Sequence, residues 1–215
     1  MISKYENFHD WINRFFYDHG FIRAIYSNTW KIDDIMFRSA QPSPYMLENF
    51  KKKGIKTIIN LRGERDNSIN FFEKNICEKL GLNLIEFKLL SRAAPSKVQI
   101  HNAKQIFKNI NYPALMHCKS GADRTGIMSV LYLIFHKQMD VKVALSELSI
   151  KYLHIKISKS GILDAFFEKY LLYIRQGGKS DFYNWTQNIY DEKDLQKSFK
   201  FNLIRSIIDK LLNRE

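Results

Sequence analysis

Residues 116–126 read Met-His-Cys-Lys-Ser-Gly-Ala-Asp-Arg-Thr-Gly and lie between two apolar stretches of different character. Pro113–His117 is short and apolar, as a buried strand is, whereas Thr125–Lys137 has the length and apolar content of a buried helix. A strand that passes through so short a loop into a helix constrains the fold strongly. The strand belongs inside a sheet, and the loop opens at the sheet's edge against a helix N-terminus, where backbone N–H groups and the helix dipole favour an anion. Five residues separate the Cys118 thiol from the Arg124 guanidinium. That is enough to wrap one tetrahedral dianion with the N–H groups of Lys119, Ser120, Gly121, Ala122, Asp123 and Arg124. Gly121 permits the curl.

The remaining chain alternates strand and helix signals. Tyr5–His19 has helical periodicity closed by Gly20, and Trp30–Ile32 can pair with Ile35–Arg38 around Asp33-Asp34. Pro42-Ser43-Pro44 opens a helix to Lys53 that Gly54 stops, and Thr57–Leu61 reads as a buried strand. Ser68–Leu80 is an amphipathic helix ended by Gly81, and Asn83–Phe87 alternates like a strand. Ser96 and Gln99 have capping-box spacing for a helix to Ile110. Val141–Lys151 and Ile162–Arg175 read as further helices, and Gly177-Gly178 marks a break.

This order predicts an α/β fold, a central and mostly parallel sheet flanked by helices. An N-terminal helical extension is expected over 1–35, the main α/β domain over 36–175, and appended helices over 180–215. The last segment carries Phe182, Tyr183, Trp185 and Tyr190, then an apolar stripe of Ile204, Ile207, Ile208, Leu211 and Leu212. It can pack on the core, form a dimer face or lie on a membrane surface.

The chemistry follows from residue types in the loop. A thiolate is a strong nucleophile, and the helix N-terminus together with Arg124 favours that form of Cys118. The planar fork of Arg124 can grip two phosphoryl oxygens, and the match improves as the transferring group flattens in its transition state. The Thr125 hydroxyl is expected to hydrogen-bond the sulfur and make it a better leaving group, with Gly126 beside it. His117 is expected to organise the loop from behind. Cys77 shares a helix face with Phe72, Ile76 and Leu80, and core packing is its expected role.

At these residues the sequence resembles the protein-tyrosine phosphatase superfamily, in its compact dual-specificity branch, whose signature is His-Cys-x5-Arg-[Ser/Thr]-Gly. Phe37-Arg-Ser-Ala-Gln-Pro42 and Gly54-Ile-Lys-Thr-Ile-Ile-Asn-Leu-Arg-Gly-Glu64 extend the likeness to atypical members related to plant and fungal enzymes and to phosphatase domains fused to NAD kinases. The resemblance covers about residues 36–175. It implies a hydrolase that cleaves phosphomonoesters through a phosphocysteine, with no cofactor and no metal.

The sequence departs from that pattern at the general acid. Such enzymes usually take it from an Asp some thirty residues before the cysteine, yet no Asp or Glu lies between Glu86 and Cys118. Asp123, inside the loop, is the nearest carboxylate, and myotubularin-like phosphoinositide phosphatases have a similar loop. Asp123 either protonates the leaving oxygen or only fixes the loop by hydrogen bonds. Glu64 and Asp66 are further candidates on the loop leaving the Thr57–Leu61 strand, where Arg62 can supply positive field; the alternative there is a solvated turn held by a local Arg and Glu pair. His101 and His154 are isolated, with His154 a substrate-contact candidate.

Phosphotyrosine, phosphoserine or phosphothreonine in proteins is the simplest substrate. A phospholipid, phosphoinositide or inositol phosphate is the alternative, favoured by Asp123 and by Lys52, Lys53, Lys56, Lys88, Arg92 and Lys97 if they ring the pocket, and weakened by Ala122. A phosphate-binding pseudophosphatase is the reading from another class. Composition adds to this: 34 Lys and Arg against 22 Asp and Glu give a net charge of +12, with the excess concentrated between residues 51 and 110. That favours anionic partners, a phosphorylated protein, a small phosphorylated substrate or an anionic surface, while no stacking motif points to nucleic acid. Two cysteines without CxxC spacing exclude a disulfide scaffold. With a polar, charged N-terminal stretch, a soluble cytoplasmic protein is expected.

Overall fold

The computed structural model describes residues 27–199, so the helix expected over Tyr5–His19 and the stripe from Ile204 to Leu212 lie outside the described residues. The described chain forms two compact units. One holds residues 27–89 and 109–129, the other 90–108 and 130–199.

The first unit is built on five strands: β1 (Trp30–Lys31), β2 (Met36–Ser39), β3 (Thr57–Asn60), β4 (Asn83–Glu86) and β5 (Ala114–His117). They lie in the order β1-β2-β5-β3-β4. β1 pairs antiparallel with β2, and every other pairing is parallel, so the mostly parallel sheet expected from the alternation is present. The β1–β2 turn is made by Asp33, whose Oδ1 accepts from the N–H groups of Ile35 and Met36. β5 sits centrally between β2 and β3, with His117 in register with both Ser39 and Asn60. All four residues of β3 and of β5 are buried, which is why both read as continuous apolar runs rather than alternating ones.

Helices α1 (Pro44–Lys52) and α2 (Ser68–Lys79) connect these strands. α1 has Ser43 as its N-cap, accepting from Met46 N–H, with Pro44 at the first position, where a missing N–H costs nothing. α2 is capped by Asn67. Leu47, Phe50, Ile55, Ile58, Cys77, Leu82 and Leu115 form one buried cluster, each large apolar member worth about 1.5–3 kcal/mol over its exposed state. Cys77 is part of this cluster, and burial with the nearby Glu73 pushes its thiol up to about 12. It is therefore an inert core side chain.

The second unit holds α3 (Lys97–Asn109) up to Lys108, the C-terminal part of α4 (Asp123–Phe135) from Val130, α5 (Val141–Ala144), α6 (Ile162–Arg175), α7 (Phe182–Asn188) and a helical stretch over 192–199. The capping box is formed: Gln99 N–H donates to Ser96 Oγ at 3.2 Å, and Ser96 N–H donates to Gln99 Oε1 at 3.0 Å. The single helix expected over Val141–Lys151 is not. α5 stops at Ala144, and 3-10 turns follow at Leu145–Glu147 and Ile150–Tyr152. The break has a physical cause. Glu147 is buried and accepts from the Tyr152 hydroxyl at 3.1 Å, while His154 N–H donates to the Ser149 carbonyl, and Ser149 between the two 3-10 turns is extended.

The described part of the appended segment packs as core. Phe182, Trp185 and Tyr190 are buried against Phe166, Phe167 and Tyr170 of α6, with ring centroids 4.9–5.8 Å apart across the pairs they form. The Tyr190 hydroxyl donates to the Pro95 carbonyl at 2.9 Å, and Lys97 Nζ donates to the Gln187 carbonyl. No helix among the described residues is long and apolar enough to cross a membrane.

Trp185 is 2% exposed at the centre of this aromatic cluster. Trp185→Ala is therefore expected to lower unfolding free energy in urea by about 3–5 kcal/mol. Leu172→Ala, half-exposed on α6, should change it by no more than about 0.5 kcal/mol.

Candidate active site

The loop between β5 and α4 is shaped from outside. Its carbonyl groups are tied, one after another, to the segment around β1 and β2. The Lys119 carbonyl accepts from Gln41 N–H at 3.4 Å and that of Ser120 from Asn28 Nδ2 at 2.8 Å. The Gly121 and Ala122 carbonyls accept from Arg38 Nη2 at 3.0 and 3.4 Å. Arg38 is fully buried, and Asn28 is itself held by Trp30 Nε1 at 2.8 Å. Across a planar trans peptide the carbonyl of one residue and the N–H of the next point in opposite directions. Four carbonyls held outward therefore turn the N–H groups of Ser120, Gly121, Ala122 and Asp123 to the other side of the loop. The result is an anion cradle.

Gly121 makes that curl possible. Its φ is +71°, and a Cβ there would lie 2.7 Å from Ala40 N and 2.8 Å from the Ser39 carbonyl carbon. α4 begins two residues earlier than the sequence suggested, with Gly126 N–H donating to the Ala122 carbonyl at 2.7 Å. Ala122 is thus the residue at the helix cap, and its methyl group cannot accept a hydrogen bond. The first N–H groups of a helix have no acceptor within it, so the start of α4 turns donors toward the loop. Arg124 is half-buried, and its guanidinium makes no ion pair with the described residues. Cys118 is 2% exposed at the end of β5, and Lys119 and Ser120 are exposed.

Behind the loop lies a buried polar network that sequence reasoning did not find. His117 is fully buried, its Nε2 2.8 Å from Glu73 Oε1. Glu73 also accepts from Gln41 Nε2 at 2.8 Å and from Asn60 Nδ2 at 2.7 Å. Asn70 bridges Asn60 to Glu86, donating to Glu86 Oε1 at 2.7 Å. His117, expected to organise the loop from behind, therefore lies against a carboxylate on α2. Gln41 belongs to both systems, since its backbone meets the loop while its side chain meets Glu73 and Arg62. The signal for this network was present as polar residues, Asn70 and Glu73, on the inner face of an amphipathic helix.

Other predicted residues fall less close together. Arg62 Nη1 donates to Gln41 Oε1 at 2.9 Å, which links it to the loop through one residue. Glu64 is exposed and pairs with none of the described residues, so the local Arg and Glu pair envisaged for that turn is not formed. The guanidinium of Arg62 is taken up by Gln41 instead. The Thr125 hydroxyl is buried without a hydrogen-bond partner, so the expected bond to the Cys118 sulfur is not made in this structure. The Ser129 hydroxyl has taken the Thr125 carbonyl, at 2.8 Å. In the second unit, His154 is buried with Nε2 2.7 Å from Asp164 Oδ2, and His101 Nδ1 lies 2.6 Å from the Tyr183 hydroxyl. Both are accounted for by these contacts.

Comparison with known proteins bears on the family and the fold. Residues 24–161 match the family described as DSP-PTPase phosphatase fused to NAD+ kinase. Similar solved structures include Tk-PTP in the active form, 20% identical, covering 67% of this chain and 99% of that one with a TM-score of 0.51. A P. aeruginosa TpbA variant in complex with pTyr is 16% identical, covering 71% of this chain and 91% of that one, TM-score 0.52. PTPMT1 is 17% identical, covering 69% and 99%, TM-score 0.51. At these identities the structures establish the fold alone. No curated protein matches the chain. Because the family match spans more than half of its length, the chain belongs to the DSP-PTPase family described as fused to NAD+ kinase, within the atypical dual-specificity branch of the cysteine-dependent phosphatases.

Proposed function

We propose that this phosphatase hydrolyses phosphomonoesters through a phosphocysteine on Cys118, with phosphorylated tyrosine, serine or threonine side chains of proteins as its substrates. The observation that carries the reading is the outward tethering of the carbonyls of residues 119–122, which gives the loop beside Cys118 an inner lining of N–H donors. The complex of a TpbA variant with pTyr, in a protein of the same fold, supports the choice of substrate.

The thiolate of Cys118 attacks phosphorus, a sulfur–phosphorus bond forms, and the bond to the leaving oxygen breaks. Three phosphoryl oxygens carry the charge, and the N–H cradle with the Arg124 fork receives it. The leaving oxygen takes its proton from Asp123, at the first position of α4. Water then attacks phosphorus, the sulfur–phosphorus bond breaks, inorganic phosphate departs and Asp123 recovers the proton. Lys119, Ser120, Gly121 and Ala122 hold the phosphate by their backbone, while His117, Thr125, Gly126 and Arg62 support the loop. Glu64, exposed and apart from this network, has the weakest claim to a part in it. Arg124 and the helix N-terminus supply the positive charge, so the reaction as proposed needs no metal.

A second reading rests on Asp123, whose place inside the loop suits a lipid or inositol phosphate phosphatase. Phosphate release from phosphopeptides, phosphoinositides, inositol phosphates and an activated aryl phosphate, in EDTA and reductant, separates the two by the class preferred. Cys118→Ser should lower turnover about 10,000-fold or more on every substrate. Retained turnover would refute the phosphocysteine route, and binding without release in the unaltered chain would make the protein a phosphate reader.

Asp123→Asn should slow a poor leaving group by about 100-fold or more while changing an activated aryl phosphate only a few-fold. Equal losses on both substrates would remove the acid role. Gly121→Ala forces a Cβ into the β2 backbone and a left-handed conformation costing roughly 1–2 kcal/mol. It should weaken inhibition by inorganic phosphate by about tenfold or more, read as the inhibition constant.

A further inference from the structure

β2 places a charged side chain where its neighbours are apolar. Met36 and Arg38 are two residues apart, share one face of the strand and are both fully buried. Phe37, between them, faces the other way, toward the cluster that holds Leu47, Phe50 and Leu115. Register sets Arg38 opposite Met116, whose sulfur lies 3.8 Å from the Ser129 hydroxyl of α4. The covered face on which Arg38 lies is therefore the one on which the loop runs into α4. An apolar side chain there would pack beside Met36 at no electrostatic cost, whereas a buried guanidinium is costly unless it is hydrogen-bonded.

Its Nη2 finds acceptors in the loop. It donates to the Gly121 carbonyl at 3.0 Å and to the Ala122 carbonyl at 3.4 Å, across 83 and 84 positions of sequence. The same two peptides carry the N–H groups of Ala122 and Asp123, where the loop becomes helix. Gly121 also lies against the backbone of Ser39 and Ala40, the two residues that follow Arg38, so strand and loop meet by contact as well as by hydrogen bond. Of the donors that hold the loop carbonyls, Asn28 takes that of Ser120 and Gln41 N–H that of Lys119, while Arg38 alone takes two. At 0% exposure it presents nothing to solvent, and it can act on a bound anion only through the loop.

We propose that Arg38 is a positioning residue of this site: it holds the Gly121 and Ala122 carbonyls outward, and so sets the affinity of the loop for a phosphoryl group that it does not itself touch. A charge-assisted donor suits the task, because its bonds are stronger than those of a neutral one. The inference rests on the phosphate chemistry proposed above, but its binding measurement needs no turnover, so the two can fail separately.

The test is the binding of inorganic phosphate to the full chain, read as the rise in thermal midpoint with phosphate concentration, since a ligand that binds only the folded form raises it. Arg38→Met, which keeps much of the bulk and removes the donors, should weaken phosphate binding about tenfold or more. Arg38→Lys keeps a charged donor on a side chain one bond shorter and should fall between that variant and the unaltered chain; it decides if Arg38→Met does not fold. Met36→Ala is the control, on the same buried face but opposite Ala114 at the end of β5 away from the loop. It should lower the thermal midpoint while changing phosphate binding no more than about twofold. On an activated aryl phosphate, Arg38→Met should lower kcat as well as raise KM, because charge on the phosphoryl oxygens meets the loop donors in the transition state; a purely structural role would leave both unchanged per folded molecule. Unchanged phosphate binding in the Arg38 variants, or an equal loss in Met36→Ala, overturns the proposal, as does failure of both Arg38 variants to fold or of the unaltered chain to bind phosphate. Phosphate binding that falls in the Arg38 variants of a chain that hydrolyses no ester would support this inference and refute the proposed hydrolysis.

Discussion

Everything in the first unit turns on where the carbonyls of residues 119–122 go. A five-residue loop has few conformations that present its N–H groups to one point, and none is stable unless the opposing carbonyls find donors. Those donors come from the β1–β2 segment: Asn28, Arg38 and the backbone of Gln41. Arg38 contributes most, because a fully buried guanidinium brings a charge-assisted bond to two successive carbonyls and adds positive field beneath the anion site. The pairing of β2 beside β5, with Ser39 opposite His117, brings these residues to the loop. The sheet order thus follows the same demand as the site.

The network behind the loop answers a different problem. Glu73 is a carboxylate at 5% exposure, and burying such a group without partners is costly. His117, Gln41 and Asn60 surround it, so both of its oxygens are engaged. In return Glu73 lies against the ring that precedes the nucleophile candidate and, through Gln41, holds the segment that meets the loop. Removing one partner would strand the others, which makes the network a positioning device with little slack.

Much of this was legible in the sequence, for physical reasons that differ by element. The buried strands β3 and β5 show as apolar runs because both faces are covered, and α3 shows through its reciprocal Ser96 and Gln99 cap. The loop is legible because glycine, thiol and guanidinium requirements fall on fixed positions. Arg38 and Glu73 were hidden, since a charged residue in a strand or on a helix face reads as surface until a long-range partner is known; the contacts that bury Arg38 span 83 and 84 positions. The helix expected over Val141–Lys151 failed for the same reason, its periodicity overridden by buried bonds from Tyr152 and His154 that no local pattern encodes.

The start of α4 shows how function is favoured over local stability. A Ser, Thr, Asp or Asn at the cap would accept one of the first helical N–H groups and stabilise the helix by about 1 kcal/mol. Ala122 forgoes this, and an accepting side chain there would compete with a bound anion for the same donors. Asp123 offsets part of the loss, because a carboxylate in the first turn is favourable against the helix dipole. That same position puts an acidic group beside Arg124 in a loop region lacking the usual upstream aspartate. One residue can then both stabilise the uncapped helix and carry the proton, and the two roles separate experimentally because only the second depends on the leaving group.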